Sequence, residues 1–376
     1  MAIKDFTFDP VLIDFFVDFG YELYKGDTHW IPPLRKELYS QLSPEFLFYR
    51  KRGNYHRHFL ATSNGKIVGR VSAMINQDLR DKDGTPVGTM GFFECIDDYG
   101  VAKDLFDSAI EWLCAEQRVR RIWGPMNFDI WHGYRLMTLG FDQKTFYGEP
   151  YNKLYYPDFF ERYGFTAKQY WDSVEITGRE ILEKMIVRGK EQYQVLVRRE
   201  YRFEQFKMRD YKDELHKLHW VLTKSFGSFL GFTPISFEEF FQLFAKGRYA
   251  VLPRLSVFAY DENNELAGFA VALLELSDAI LAMNGKDNLV SKLKFLYKRR
   301  FVNRINFYIG GVTPEEAAKK TGLGRAGFYY VIHQMLKEGF ESLLLTLRLK
   351  GNKAHGLPGK YAPKPQKEYA LYELNR

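Results

Sequence analysis

Cysteine is nearly absent: 376 residues include two, Cys95 and Cys114, both in apolar stretches. Two such thiols build neither a disulfide framework nor a zinc spacing, and a reducing, cytoplasmic compartment is expected. Long apolar runs are missing too. None approaches the roughly 18–20 residues a spanning helix needs, and the N-terminus has no apolar signal core. No Gly-x-Ser-x-Gly elbow occurs, and no Gly-Lys pair is followed by Ser or Thr. The usual serine nucleophile and the P-loop are therefore excluded. His216 and His219 stand three apart on one helical face, but without a Cys or carboxylate third ligand no metal is expected.

What is present is an ordinary globular balance, 46% hydrophobic and 27% charged, with an aromatic content of 17% that rules out a disordered chain. The length suits two domains, each able to bury a core. The formal charge of +7 fits phosphates, coenzymes or acidic surfaces, without identifying nucleic acid. A basic, aromatic stretch, Lys292 to Arg304, suits contact with anionic lipid, nucleic acid or an acidic acceptor. A solvated amphipathic helix is the blander reading, and the favoured one.

A long-period repeat runs through the chain. His58 to Asn76 (HFLATSNGKIVGRVSAMIN) and Ser256 to Glu275 (SVFAYDENNELAGFAVALLE) each read as strand, polar turn and second strand. This spacing suggests duplicated domains. The expected division is residues 1–178, a helical linker 179–200, and 201–376. In the first half a strand, GTMGFFECIDD, leads to a helix from Val101 to Gln117 with helical apolar spacing. A second helix from about Pro157 is stopped by Gly164, and a strand follows near Trp171 to Ile176. In the second half, helices are expected at Lys212 to Phe226, Phe237 to Ala245 and Arg325 to Lys337. Strands are expected at Ile305 to Val312 and Ser342 to Leu347, with a closing one at Glu368 to Leu374. A strand, glycine loop, helix and strand in that order imply a parallel pair.

The most informative segment is Val312 to Ala326, VTPEEAAKKTGLGRA. A strand delivers the chain to Gly322 and Gly324, and a helix begins at once. Glycine lets backbone approach a ligand closely, and the free N–H groups at a helix start favour an anion. Lys319, Lys320 and Arg325 add positive charge. The segment reads as a phosphate or pyrophosphate cradle, ahead of an ordinary strand-to-helix turn. Gly322, Gly324 and Gly327 also satisfy GxGxxG, but no acidic ribose-binding strand follows.

KKTGLGRA resembles the coenzyme loop of the GNAT acyltransferases, with Lys319 where that family prefers Arg or Gln. Val312 to Pro314 looks like the family's strand end beside the pantetheine arm, and LLLTLRLKGNKA like its next strand with an exit at Asn352. FFERYGF and FLATSNGKIVGRVSA in the first half resemble other pieces of the same fold. WIPPLR, GFFECIDD and GPMNF resemble a group of bacterial GNAT-like proteins. The resemblance implies a mixed α/β fold of two tandem GNAT-like domains. Each would be a mostly antiparallel twisted sheet with a central parallel pair, flanked by helices. It implies an acyl-CoA co-substrate, acetyl-CoA or a longer one, held by Val312, Lys319, Lys320, Thr321, Gly322, Leu323, Gly324, Arg325, Ala326 and Asn352. The first half has Cys95 to Gly100 (CIDDYG) where that loop belongs, and two carboxylates there would repel a pyrophosphate.

For catalysis, Glu275, Tyr308 and Glu315 lie near the central strands of the second half. Each alone reads more simply as a surface carboxylate or core tyrosine. The family's tyrosine acid belongs seven residues after the exit Asn. That position is Gly359, and Tyr361 is the nearest tyrosine. The expected function is N-acyl transfer, N-acetyl transfer above all, to a small-molecule or peptide amine, by direct attack on the thioester and without a metal. The competing readings are a non-catalytic binding module on the same scaffold and a transferase of the Fem or myristoyl type. An intact coenzyme loop argues against the Fem type, whose donor is a charged RNA. The aromatic segments around Trp30, Phe92, Trp123 and Trp131 suggest an apolar contact between the halves.

Overall fold

The computed structural model describes residues 1–376, the side chain of Glu116 excepted. The first half supplies β1 (Ala2–Phe6), β2 (Tyr55–Ser63), β3 (Lys66–Arg80), β4 (Pro86–Cys95), β5 (Arg121–Gly124), β6 (Leu136–Leu139) and β7 (Thr166–Thr177). The second supplies β8 (Arg202–Gln205), β9 (Val257–Tyr260), β10 (Leu266–Leu274), β11 (Arg304–Val312), β12 (Ser342–Leu349) and β13 (Lys367–Asn375). All thirteen join one mixed sheet in the order β1-β2-β3-β4-β5-β13-β7-β12-β11-β10-β9-β8, with β6 set beside β13.

That order has an internal symmetry. The two parallel pairs, β4 with β5 and β11 with β12, occupy equivalent places on either side of the centre. At the centre the halves exchange a strand. β7, from the first half, pairs with β12 of the second, while β13, from the second, pairs with β5 of the first. β7 and β13 also pair with each other, from Lys367 opposite Ser173 to Glu373 opposite Thr166. The segment 179–200, expected as a linker, forms the helices Arg179–Met185 and Val187–Arg198.

Local chemistry accounts for the element ends. The β2–β3 turn has Asn64 and Gly65 both at positive φ, as a two-residue hairpin requires. At the β9–β10 turn the Asp261 carboxylate accepts from the N–H groups of Asn263 and Glu265, both at 3.0 Å. The helix Tyr156–Tyr163 ends on Gly164 at φ 107°. One segment departs from the sequence reading. The run after β11, expected as a simple glycine loop, contains the short helix Pro314–Lys319. Thr313 caps it, Pro314 opens it, and Glu315 and Glu316 fill its first turn. Those are standard helix-start signals. The following helix begins at Leu323, two residues before the expected Arg325.

Helices cover both faces of each half. Phe226, on the helix Tyr211–Phe226, packs against Phe269, while a side chain at Gly327, on the helix Leu323–Lys337, would reach the next residue, Ala270. Successive strand residues point to opposite faces, so these two helices sandwich the sheet. In the first half, Phe59 and Ala61 join the core under the helix Tyr99–Glu111. Leu60, between them, joins Phe16 and Val17 of the helix Pro10–Leu23. Trp123 is fully buried at the central seam with Trp171, Tyr369 and Leu371. Trp131 crosses to the second half, packing on Phe232 and Phe240 and donating to the Thr233 carbonyl at 2.8 Å. Trp30 and Phe92 instead belong to the first half, Trp30 stacked on Tyr24 and Phe92 beside Phe16.

Candidate active site

β11 and β12 pair over only three residues, Arg304 to Asn306 against Ser342 to Leu344. Beyond Asn306 they part, β11 continuing along β10 and β12 along β7. Both strands are irregular where they diverge. Val271 lies opposite Ile309 and Ala272 opposite Phe307, so Tyr308 is the extra residue of a bulge. The register of β12 on β7 slips between Leu345 and Arg348, with Leu347 at φ 48°. A bulge withdraws its extra residue from the ladder and bends the strand. The outcome is a wedge between the two strands beyond Asn306, on whose β12 side the Leu347 N–H turns to the Ser173 hydroxyl at 2.9 Å.

The apex of the wedge is polar and incompletely satisfied. Asn306 is fully buried. Its carbonyl oxygen accepts from the Thr346 hydroxyl at 3.1 Å, and its Nδ2 is left without a partner. Residues 134–148 of the first half reach this place. The Arg135 guanidinium lies over the Tyr134 and Trp171 rings at 3.7 and 4.3 Å, and its Nε is also unpartnered. Burial lowers the Arg135 pKa, with the nearby phenols of Tyr134 and Tyr308 opposing. Buried polar atoms without a protein partner are uncommon, and a water or a further polar group can satisfy them.

At its far end β11 runs through Val312 and the short helix to the turn at Lys320 and Gly322, at φ 53° and 82°. Thr321 shapes the turn, its hydroxyl donating to Glu316 and accepting the Leu323 N–H at 3.3 Å. The N–H groups of Arg325 and Ala326 go to the Gly322 carbonyl. Among the described residues the Gly324 N–H has no backbone partner of this kind. Gly324 is exposed, and a side chain there would meet only Val312, at 3.9 Å. Leu323 and Ala326 are buried beneath and fix the start of the helix, Leu323–Lys337. A side chain at Gly322 would collide with Gln192 at 2.6 Å, and the Gln192 Oε1 is itself buried without a partner. Among the described residues neither Lys320 nor Arg325 has a carboxylate within ion-pair distance.

Lys319 turns the other way. Its ammonium pairs with Asp261 at 2.9 Å and Glu262 at 3.7 Å, at the β9–β10 turn, and with Glu316 of its own helix at 3.5 Å. The hydrogen bond to Asp261 raises its pKa, against the cost of burial. Asn352 caps the turn after β12, accepting the Ala354 N–H at 2.8 Å. Of the catalytic candidates, Tyr308 alone stands on the wedge wall. Glu275 is buried and accepts the N–H groups of Tyr147 at 2.9 Å and Ser277 at 3.1 Å. Burial raises its pKa, and those bonds and Arg304 hold it back. Glu315 is exposed on the short helix, and Tyr361 ends a 3-10 turn that packs on the second core. His219 Nε2 bonds the Ile235 carbonyl at 2.9 Å and His216 stacks on Phe237.

Sequence reading passed over a triad on the β12 wall. Asp172, on β7, is 2% exposed and accepts from Arg348 Nε at 2.7 Å and from His355 Nε2 at 2.7 Å. Asp172 and His355 are 183 positions apart. The strand exchange brings them together, and no local pattern announces it.

The equivalent place in the first half is closed. β4 and β5 part after Thr89 and Trp123, but the chain after β5 turns back into the gap. Met126 N–H donates to the Met90 carbonyl at 2.8 Å, and Asn127 Oδ1 accepts the Phe92 N–H at 2.7 Å. The helix Tyr99–Glu111 is capped by Asp98, whose carboxylate accepts the Gly100 N–H at 2.8 Å. An aspartate at that helix start occupies the position an anion would take.

No known protein-family profile matches the sequence. Two curated relatives do. Protein YghO of Escherichia coli K12 is 25% identical over 95% of this chain and 91% of its own length. A bacterial ceramide synthase of Caulobacter vibrioides is 29% identical over 74% of this chain and 71% of its own. Among solved structures, a tandem GNAT protein from the clavulanic acid biosynthesis pathway superposes over 100% of this chain and 98% of that one. Its TM-score is 0.54 and its identity 10%. The split parallel pair, the strand-to-helix glycine turn and this superposition agree: the chain has the fold of the GNAT superfamily, in its tandem form.

Proposed function

We propose that the chain is an N-acyltransferase that takes its acyl group from acyl-CoA and passes it to the amine of a long-chain, lipid-like acceptor. One observation carries the donor. The wedge between β11 and β12 leads to an exposed glycine, Gly324, at the start of a long helix, flanked by Lys320 and Arg325. Backbone N–H groups at such a start, with two cations beside them, suit a pyrophosphate. The wedge walls suit an extended arm that bonds to strand backbone. The acceptor class rests on likeness to the ceramide synthase, whose name implies N-acylation of a long-chain amine.

In this reading the acceptor nitrogen attacks the thioester carbonyl carbon. A C–N bond forms, and the C–S bond breaks as the tetrahedral intermediate collapses. The amine proton passes to a base, and the sulfur leaves as thiolate and takes up a proton. His355 is the candidate base, its ring held through Nε2 by Asp172, which leaves Nδ1 for the amine. The Tyr308 hydroxyl is the candidate proton source for sulfur, and backbone N–H groups at the bulge are candidate donors to the oxyanion.

The test is to incubate the full chain with acyl-CoAs from acetyl to long-chain and a sphingoid base, following free CoA thiol and amide by mass spectrometry. Thiol release that depends on the amine is expected. Absence of CoA binding in calorimetry, together with no amide from any donor, would remove this reading and leave a binding module.

A further inference from the structure

The helix Leu289–Arg299 is amphipathic in the wrong sense for a protein that ends at its own surface. Leu289, Leu293 and Leu296, at i, i+4 and i+7, are 72%, 57% and 52% exposed, and Tyr297 and Phe301 beside them are 61% and 66% exposed. What the helix buries is slight: Ser291, and part of Phe295 against the second core. At about 100° per residue, Ser291 and Phe295 face inward and the leucines face directly outward. A surface helix normally does the reverse. Contiguous exposed apolar side chains of this size mark a contact.

The flanks identify the partner. Val290, Tyr297 and Phe301 widen the leucine face, and beyond its two edges lie Lys292 and Arg299 on one side and Lys294 and Lys298 on the other, with Arg300 within it. Lys292 also pairs with Asp287 at 3.3 Å and Arg299 Nε donates to the Tyr249 carbonyl at 3.0 Å, but no Asp or Glu occurs between Asn288 and Ile305. Long cationic side chains on both edges of an apolar, outward-facing ridge let the ridge sink while the ammonium groups stay level with a plane of phosphates. A flat anionic surface matches that arrangement on both flanks at once. We propose that this helix is a peripheral membrane contact, with Leu289, Leu293 and Leu296 among the acyl chains and Lys294 and Lys298 at phospholipid headgroups. No helix of the described residues is long and apolar enough to cross a membrane, and this contact needs none that does. Tyr297 and Phe301 also wall an open cleft of about 620 Å³ that has Glu275 and Arg304 among its lining residues. Seated in this way, the cleft lies next to the lipid surface. Its use to admit a lipid amine rests on the function proposed above, but the contact itself does not.

The test is flotation of the full chain with vesicles of phosphatidylcholine alone and of phosphatidylcholine mixed with phosphatidylglycerol, with no substrate present. Binding to the mixed vesicles is expected, weakened by salt. It should fall at least about tenfold in L293E/L296E and in K294E/K298E, since each basic residue and each buried apolar side chain contributes separately. All four positions are exposed, and unchanged melting curves for both variants establish that the fold is intact. Failure of the native chain to bind mixed vesicles overturns the proposal, as does equal binding by L293E/L296E. Self-association that the same variant abolishes, without vesicle binding, makes the face a contact between copies and also overturns it. Activity on a soluble amine is measured separately, so loss of membrane binding and loss of acyl transfer are told apart.

Discussion

Ending the chain after Gln366 removes β13 and tests the strand exchange. Tyr369, Leu371, Tyr372 and Leu374 are each 6% exposed or less. Burying one such side chain is worth about 1.5–3 kcal/mol, so together they contribute on the order of 10 kcal/mol. That equals the whole stability of a typical domain, about 5–15 kcal/mol. The loss falls on both halves, because β13 is paired with β5 on one side and β7 on the other. Deletion also frees Trp123 Nε1 and Lys168 from Glu373, each now at 2.9 Å. The shortened chain should therefore lose near-UV circular dichroism and its cooperative calorimetric transition in both halves. A synthetic peptide of residues 367–376 should restore part of each. If the truncated chain keeps one cooperative transition of first-half size, β13 serves the second half alone and the reasoning fails. A melting temperature within a few degrees of the full chain would refute it outright.

Gly324→Glu should abolish CoA binding, measured by calorimetry as one site per native chain, because it sets a carboxylate against the pyrophosphate. The site is open and acids suit a first helical turn, so stability should change by less than about 1 kcal/mol. Gly322→Ala should behave differently. At φ 82° it should cost roughly 1–3 kcal/mol in denaturant unfolding from backbone strain, while the end of the Gln192 side chain moves aside. His355→Gln should leave CoA affinity unchanged and lower the rate of amide formation by about 10²–10⁴-fold, as loss of a general base does. An equal loss of CoA affinity would make His355 a binding residue. Burial pushes the Asp81 and Glu373 carboxyls up, but hydrogen bonds from Lys168 bring both below their ordinary values. Their stabilisation is then complete above the ordinary carboxylate range and lost as pH falls through the lowered values. Lys168→Met should flatten that acid limb of the melting temperature. An unchanged limb would place the sensitivity elsewhere.

The hairpins were legible because Asn64, Gly65 and Asp261 carry turn chemistry within a few residues of where it acts. The helix end at Gly164 was legible for the same reason. The turn that opens the helix Leu323–Lys337 could be read from Gly322 and Gly324, since a glycine-rich entry to a helix is a local property of the chain. The neighbouring cations were less readable. Lys319 and Lys320 are adjacent, yet Lys319 is drawn to Asp261 across a hairpin and only Lys320 is left at the turn. The short helix Pro314–Lys319 has its signals in Thr313, Pro314 and Glu316, but at six residues it is too short to show an apolar period.

The sequence alone thus determined the tandem build, the two hairpins, and the strand, glycine turn, helix and strand that follow one another in the second half; the helices Pro10–Leu23 and Pro314–Lys319 were not among its readings. Each of those readings depends on residues close together in the chain, whose backbone preferences hold in any fold. Tertiary structure decided the rest. It exchanged β7 and β13 across the centre and closed the first wedge with Met126 and Asn127. It also brought Asp172 to His355 and set Gly148 of the first half against the Tyr308 ring of the second. Those arrangements depend on which strand edges meet when apolar faces are buried, and a strand edge presents the same N–H and C=O groups whatever its side chains are.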